Sequence, residues 1–390
     1  MNGNETFWNR QFIIALVGSF FLSLSINLFL LFPLYLKHFT TSKSRVGLIM
    51  GIHSLMAIII RPIFGFLMDV KGRKKISLLG IAFLIAVLPW FHLVKDAGAL
   101  PLLLRALTGI GWGISLAATM TLCSDLAPRE KLAHSLGIIG VAGLLANALG
   151  PLLGEEIINQ FGFGGLFNAS ILFLLASFLC LSLAKDAVRP NALQKFPKPK
   201  VLRNVSFLSL ILTCSMPIFH GASKGSIDNF IALFGKSIRL DRIGPFFVAF
   251  SAAAILTRFG IGDLSDRYGR KQVIFPAACI ISLNLFLISF VKSFWVFILA
   301  GFIGGFGQGL IFPALSTYVI DILGRENKGL ALSLYLSLFD VGVGIGSPFF
   351  GWISDLFGYR RMYLFAGMLL FFVSILFTLR APSPGFKESN

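Results

Sequence analysis

Three polar residues spaced four apart, His220, Lys224 and Asp228, interrupt a stretch that is otherwise apolar or small. That spacing puts them on one helix face over two turns, with Asn229 beside them. Lys224 and Asp228 can pair, and His220 and Asn229 add hydrogen-bonding groups. Such a face suits an amphipathic or zwitterionic small molecule, such as a drug, metabolite or chelating compound; a purely internal ion pair is the alternative. Asp340 lies between Phe339 and a glycine-rich run. A carboxylate in a low-dielectric cavity can take up and release a proton near neutral pH, so Asp340 is the first candidate proton carrier and Asp228 the second. A structural Asp340, satisfied by a backbone or hydroxyl partner, is the competing reading. His53, a lone histidine, reads as packing.

The surroundings make these groups expensive. The chain has 390 residues, 56% hydrophobic and 13% charged, with 42 Phe and a mean hydropathy of +0.84. Charged residues are about half as frequent as in a soluble domain, and the apolar excess suits a lipid-facing exterior. Apolar runs of roughly 20 residues or more, enough to cross a bilayer as helix, fall near 12–36, 45–68, 76–94, 99–123, 134–158 and 163–184. A second set falls near 205–235, 243–264, 272–291, 294–320, 329–353 and 361–380. Lipid cannot satisfy open backbone groups, so an all-α membrane protein of about twelve helices is predicted. An ionisable side chain at mid-bilayer costs about 2.5–3.5 kcal/mol, so each one marks a candidate site.

The formal charge of +17 does not indicate nucleic acid, because the Lys and Arg lie mostly in short loops and form no basic module. In a membrane such charge sets topology and attracts anionic headgroups. Loops on the side shared by both ends carry the larger share of Lys and Arg, so both termini are expected in the cytoplasm. Trp8, Trp90, Trp295 and Trp352 sit near predicted helix ends, as interfacial aromatics do. The first apolar stretch is too long for a signal-peptide core and is expected to stay attached. Cys123, Cys180, Cys214 and Cys279 show no CxxC spacing, which supports neither a disulfide nor a metal site.

Residues 185–204, with three prolines and six basic residues, read as a solvated cytoplasmic linker between a bundle at 1–184 and a second at 205–390. The halves are repeats. A shift of 197 carries Arg61, Gly65, Asp69, Gly72, Arg73 and Lys74 onto Arg258, Gly262, Asp266, Gly269, Arg270 and Lys271. The same shift carries Asn27 onto Lys224, and Pro151 and Gly154 onto Pro348 and Gly351. A shift of 196 carries Asp125, Arg129 and Glu130 onto Asp321, Arg325 and Glu326. Six crossings per half give parallel repeats, related by an axis along the membrane normal.

Gly65-Phe-Leu-Met-Asp69-Val-Lys-Gly72-Arg73-Lys74 and Gly262-Asp-Leu-Ser-Asp266-Arg-Tyr-Gly269-Arg270-Lys271 both resemble the GxxxDxxGR(R/K) signature of the major facilitator superfamily. The resemblance implies two six-helix bundles and alternating access to a midplane site. It also implies a cytoplasmic latch of Asp69, Arg73 and Asp125, mirrored by Asp266, Arg270 and Asp321. Glycine in these loops would let helices approach closely; charges that only fix topology are the plainer alternative. Ala146-Asn-Ala-Leu-Gly150-Pro151-Leu-Leu-Gly154-Glu155 resembles the family's antiporter helix, with Ala146 and Glu155 standing where glycine is expected. A kinked packing helix without directional meaning is the other reading. By the same resemblance, spans 1 and 7 line the cavity, which brings in Asn27, His220, Lys224, Asp228 and Asn229. Arg105, ahead of Thr108-Gly109-Ile110-Gly111, resembles an arginine that supports proton coupling; an arginine snorkelling to headgroups is the alternative. Glu155 and Glu156 are expected at the outer surface, hydrated.

These readings converge on a secondary transporter of the inner membrane that exports a small organic molecule by proton antiport. Its partners are the substrate, protons and the bilayer, with no cofactor and a monomer as the working assumption. An importing symporter or facilitator is the second reading, and a non-transporting receptor or scaffold the third. No ATP-binding motif or catalytic constellation occurs, so no enzyme activity is expected.

Overall fold

Long apolar runs can bury their own backbone groups in lipid as helix, and helix is what they form. The computed structural model describes residues 9–127, 132–186, 207–261, 264–323 and 328–382, about nine-tenths helical with no strand among them. Helix α1 (Arg10–Leu28) continues through a tighter turn at Phe29–Leu31 into α2 (Phe32–Leu36). Then come α3 (Lys43–Lys71), α4 (Arg73–Val87), α5 (Ala99–Leu126) and α6 (Leu132–Leu183). The second series is α7 (Phe207–Ser237), α8 (Gly244–Ile261), α9 (Leu264–Tyr268), α10 (Arg270–Phe290), α11 (Phe294–Leu323) and α12 (Lys328–Arg380). Among the described residues, eight stretches are long and apolar enough to cross a membrane, α6 and α12 each counted as one.

Neither α6 nor α12 is one rod. Gly162 (φ 67°) and Gly358 (φ 81°) leave helical geometry in the left-handed region that favours glycine. The packing shows what these breaks do. Before Gly162, α6 runs parallel to α1: Gly150 packs on Asn27 and Gly154 on Leu31. After it, α6 runs antiparallel to α1, with Ser170 Oγ donating to Ser25 O (3.0 Å) and Ser177 Oγ to Gly18 O (2.8 Å). Helix α6 therefore doubles back at Gly162. Helix α12 does the same against α7. Gly221 packs on Phe339 and Asn229 on Ser347, whereas Tyr359 and Tyr363 beyond the turn meet the Phe234 ring at tilted and edge-on angles, and Tyr363 Oη reaches back to Ser226 O (3.2 Å). The spans expected at 134–158, 163–184, 329–353 and 361–380 are the arms of these two hairpins.

The chain forms two compact units, one of residues 1–41, 52–193 and 242–247, the other of 42–51, 194–241 and 248–390. Residues 187–206, which contain nearly all of the expected linker, lie outside the described residues. Within unit 1, α1 packs along both arms of α6, and α4 packs on α5. Unit 2 repeats the scheme with α7 on α12 and α10 on α11. In unit 2 the start of α3 also lies antiparallel along α12: Lys43 and Ser44 meet Gly351, Gly47 meets Ser347, and Gly51 meets Gly344.

A Cβ on Gly221 would overlap the Phe339 carbonyl, so the α7 and α12 backbones touch directly there. Gly221→Val should cost about 3 kcal/mol by overpacking and cut the yield of folded protein. A thermal melt in detergent unchanged from wild type would refute that close approach.

Candidate functional site

In unit 2, His220, Lys224, Asp228 and Asn229 on α7 each make a polar contact. The Lys224 ammonium pairs with the Asp228 carboxylate one turn on, both mostly buried, and its Nζ lies 5.1 Å from the centre of the Phe250 ring on α8. His220 is fully buried, with Nε2 2.8 Å from Gln308 Oε1 on α11 and its ring 5.0 Å from Phe339 on α12. Asn229 donates from Nδ2 to Ser347 Oγ (2.6 Å), which donates in turn to Val343 O (2.6 Å). The four α7 residues thus reach α8, α11 and α12 together. Gln308, Phe250 and Ser347 carry this site as much as the residues named from sequence, and no local pattern pointed to them.

Asp340, half-buried on α12, lies within electrostatic reach of the fully buried Tyr335, as does Arg258 on α8. The Phe312 ring of α11 lies 5.6 Å from the Arg258 guanidinium carbon and 5.3 Å from the Tyr335 ring. Unit 2 therefore gathers a cation, a phenol and a carboxylate in a largely apolar interior. Arg258 is half-buried there, within electrostatic reach of Tyr335.

Unit 1 holds a smaller polar group. Thr108 Oγ1 donates to Arg105 O (2.9 Å) and lies 3.2 Å from His53 Nδ1. The Arg105 guanidinium sits 5.7 Å from the Phe29 ring centre and is 5% exposed. That burial corrects the snorkelling alternative: the long stem turns into the unit instead of out to the headgroups. His53 keeps a packing place but also a hydrogen-bond partner. Asn27, half-buried, donates to Ser23 O (2.7 Å) on its own helix, and the Gly150 backbone packs on it.

At the ends of these helices an arginine of each signature loop pairs with an aspartate. The Arg73 guanidinium pairs with Asp125, and Arg270 Nε donates to Asp321 Oδ2 (3.0 Å) while Nη1 reaches Ser265 Oγ (2.9 Å). Lys74 Nζ donates to Ser182 O (2.6 Å) and Lys271 Nζ to Ala381 O (2.8 Å), a repeat of the same clamp. Gly72 (φ 94°) and Gly269 (φ 95°) make the breaks before α4 and α10. The rest of the first loop is helix up to Lys71, tighter than the sequence suggested. Gly65 corrects another expectation: a side chain there would meet nothing within 4 Å, so it seats no neighbouring helix. Gly262 and the side chains of Asp69 and Asp266 lie outside the described residues. In the antiporter-like stretch, Pro151 is carried inside α6 while Gly150 and Gly154 take the contacts with α1. Glu155 is not simply hydrated; its carboxylate accepts from the Ile243 and Gly244 amides. Among the described residues, no group of three His, Cys, Asp or Glu could hold a metal ion.

Two similar units, each with α1 or α7 against a hairpin and each closed by an Arg–Asp clamp, match one family across the chain. The Major Facilitator Superfamily model covers residues 13–241 and 218–390. The chain belongs to that superfamily. Members are membrane transporters, not enzymes. Among curated proteins the chain resembles the multidrug resistance protein MdtG of Salmonella choleraesuis, 28% identical over 391 residues, covering 93% of this chain and 94% of the relative. MdtG of Enterobacter lignolyticus is 26% identical over 384 residues, covering 94% and 91%. Among solved structures, a point mutant of the nucleoside transporter NupG superposes with a TM-score of 0.78 at 13% identity, covering 95% of this chain and 99% of that one. The human organic anion transporter MFSD10 (TETRAN) gives 0.69 at 17%, covering 94% and 99%. At those identities the structural matches speak for the fold alone.

Proposed function

We propose that this facilitator-family chain exports small amphipathic organic molecules, drugs among them, across the inner membrane in exchange for protons. The observation that carries the reading is its likeness, over nearly the whole of both chains, to multidrug resistance proteins. Each hairpin arm is read as one crossing, so the chain crosses twelve times, in two six-helix bundles with both termini cytoplasmic. Alternating access then exposes a central cavity to each side in turn. The α7 face supplies substrate contacts through Lys224, Asp228, Asn229 and His220, with Asn27 as the counterpart in the repeat. Asp340, with Tyr335 near it, carries the proton, and Arg105 supports coupling. Proton and substrate must bind the two states unequally, since only differential affinity shifts such an equilibrium. The clamps of Arg73–Asp125 and Arg270–Asp321, with Asp69 and Asp266, close the cytoplasmic side in one state and part in the other.

Inside-out vesicles energised by respiration test this reading. Addition of a transported drug should release protons from the lumen, seen as dequenching of a pH-sensitive dye, and an uncoupler should abolish drug accumulation. Drug and proton moving together in the same direction would replace antiport by the importing reading. No gradient-dependent flux for any compound in a broad panel would overturn transport of this class.

A further inference from the structure

Arg105 is a buried cation to which unit 1 supplies no anion. Its guanidinium stands over the Phe29 ring, and among the described residues no oxygen accepts from it; Nε is buried without a partner. Lys224, Arg73 and Arg270, by contrast, each have an aspartate, in Asp228, Asp125 and Asp321. No acid of its own surroundings could take that place. Between residues 6 and 95 the single Asp or Glu is Asp69, near the end of α3, and there is none between 97 and 124. His53 lies within electrostatic reach of both Arg105 and Arg61, so the local field is positive. Phe29, His53, Arg61, Arg105 and Thr108 all belong to unit 1.

The internal repeat shows that this polar group is not part of the packing frame. In unit 1 a Cβ on Gly109 would overlap the His53 carbonyl, and one on Gly113 would stand 2.8 Å from the Ala57 carbonyl oxygen. In unit 2 a Cβ on Gly305 would overlap the Phe250 carbonyl, and one on Gly309 would stand 2.9 Å from the Ala254 carbonyl oxygen. The same frame is thus built twice, with α5 matching α11 at a shift of 196 and α3 matching α8 at 197. In that register Gly301, Gly304 and Phe250 stand where Arg105, Thr108 and His53 stand. A frame that closes on two glycines and a phenylalanine does not need a guanidinium to hold it together.

An uncompensated charge in such an interior is strongly unfavourable, and a ligand that brings the counter-charge relieves it. We propose that Arg105 is the recognition point for an acidic group on the transported molecule, so that the substrates include amphipathic organic acids. This rests on the transporter reading above. A carboxylate is the matching group: one guanidinium balances one charge, and its planar fork of N–H donors meets two carboxylate oxygens at once. Thr108, donating to Arg105 O and touching His53 Nδ1, ties the turn that carries the arginine to α3.

The test measures binding to full-length protein in nanodiscs for a panel of aromatic carboxylates, each paired with its own primary amide, beginning with naphthylacetate and naphthylacetamide. At least one acid should bind about tenfold tighter than its amide or better, and Arg105→Gln should bring that ratio to about one. Arg105→Lys keeps the charge but loses the fork, and should give an intermediate ratio. Without ligand, Arg105→Met should melt about 2 °C above wild type, because it keeps an apolar stem and removes the unpaired charge. A lower melting temperature for Arg105→Met would reveal a counter-ion within the protein and overturn the proposal. A panel in which no acid is preferred to its amide would overturn it as well. Binding needs no gradient: a carboxylate preference without proton-driven efflux would sink the exporter reading and keep the anion site. Efflux of drugs with no carboxylate preference would do the reverse.

Discussion

Asp340→Asn should abolish uphill drug efflux while leaving downhill exchange of drug across the membrane intact. Asparagine keeps the shape of the side chain and removes the proton. In an antiporter the carboxylate makes the two states differ in proton affinity, and that difference pulls substrate against its gradient. Without it the protein can still alternate with drug bound, but the gradient has no purchase. Accumulation in energised inside-out vesicles should fall more than tenfold, and equilibrium counterflow of labelled drug should stay within about twofold of wild type. Asp340 lies within electrostatic reach of Tyr335, and the variant should fold because it removes a charge without creating a void. Gradient-driven uptake at the wild-type rate in Asp340→Asn would remove Asp340 from the proton path and pass the role to Asp228.

Lys224→Ala is expected to be the most destabilising change on the α7 face. Both partners of this pair are mostly shielded, at 14% and 23% exposure, so deleting the lysine strands the Asp228 carboxylate in an apolar interior. Loss of one partner from such a pair costs about 3 kcal/mol. The double variant Lys224→Met with Asp228→Asn removes the stranded charge and should recover most of the loss, because the pair contributes little beyond what its desolvation took. Thermal unfolding of wild type, Lys224→Met, Asp228→Asn and the double variant in one detergent forms the cycle. Efflux should be lost in both variants, which separates the site's function from its contribution to stability. Equal melting temperatures for wild type and Lys224→Ala would mean that water already screens the aspartate.

Much of this could be read before any coordinates. Length of apolar run fixed where helices had to be, and the spacing of His220, Lys224 and Asp228 fixed which side chains share a face, because both depend on local geometry alone. The pairing of Arg73 with Asp125 and of Arg270 with Asp321 came from the family resemblance of the two signature loops, which the repeat had shown to be duplicated. What escaped is long-range. Gln308 meets His220 across 88 residues of sequence, and glutamine among glycines announces nothing about its partner. Glu155 looked like one of two acids near a helix end, and its role depends on where the start of α8 lies. The hairpins at Gly162 and Gly358 were legible as pairs of spans, yet the turn itself is a single residue that hydropathy cannot resolve. Gly65 misled for the opposite reason: a familiar letter pattern names a position but not what stands opposite it.

The bare contact of α7 with the first arm of α12 has a mechanical meaning. At Gly221 and Gly342 one backbone rests on another with no side chain between to act as a bearing. Sliding by a residue would drive the next Cβ into a carbonyl, so the two helices behave as a single beam that tilts without shearing. In the alternating access proposed above, the groups mounted on it, Lys224, Asp228 and Asp340 alike, swing as one rigid cargo.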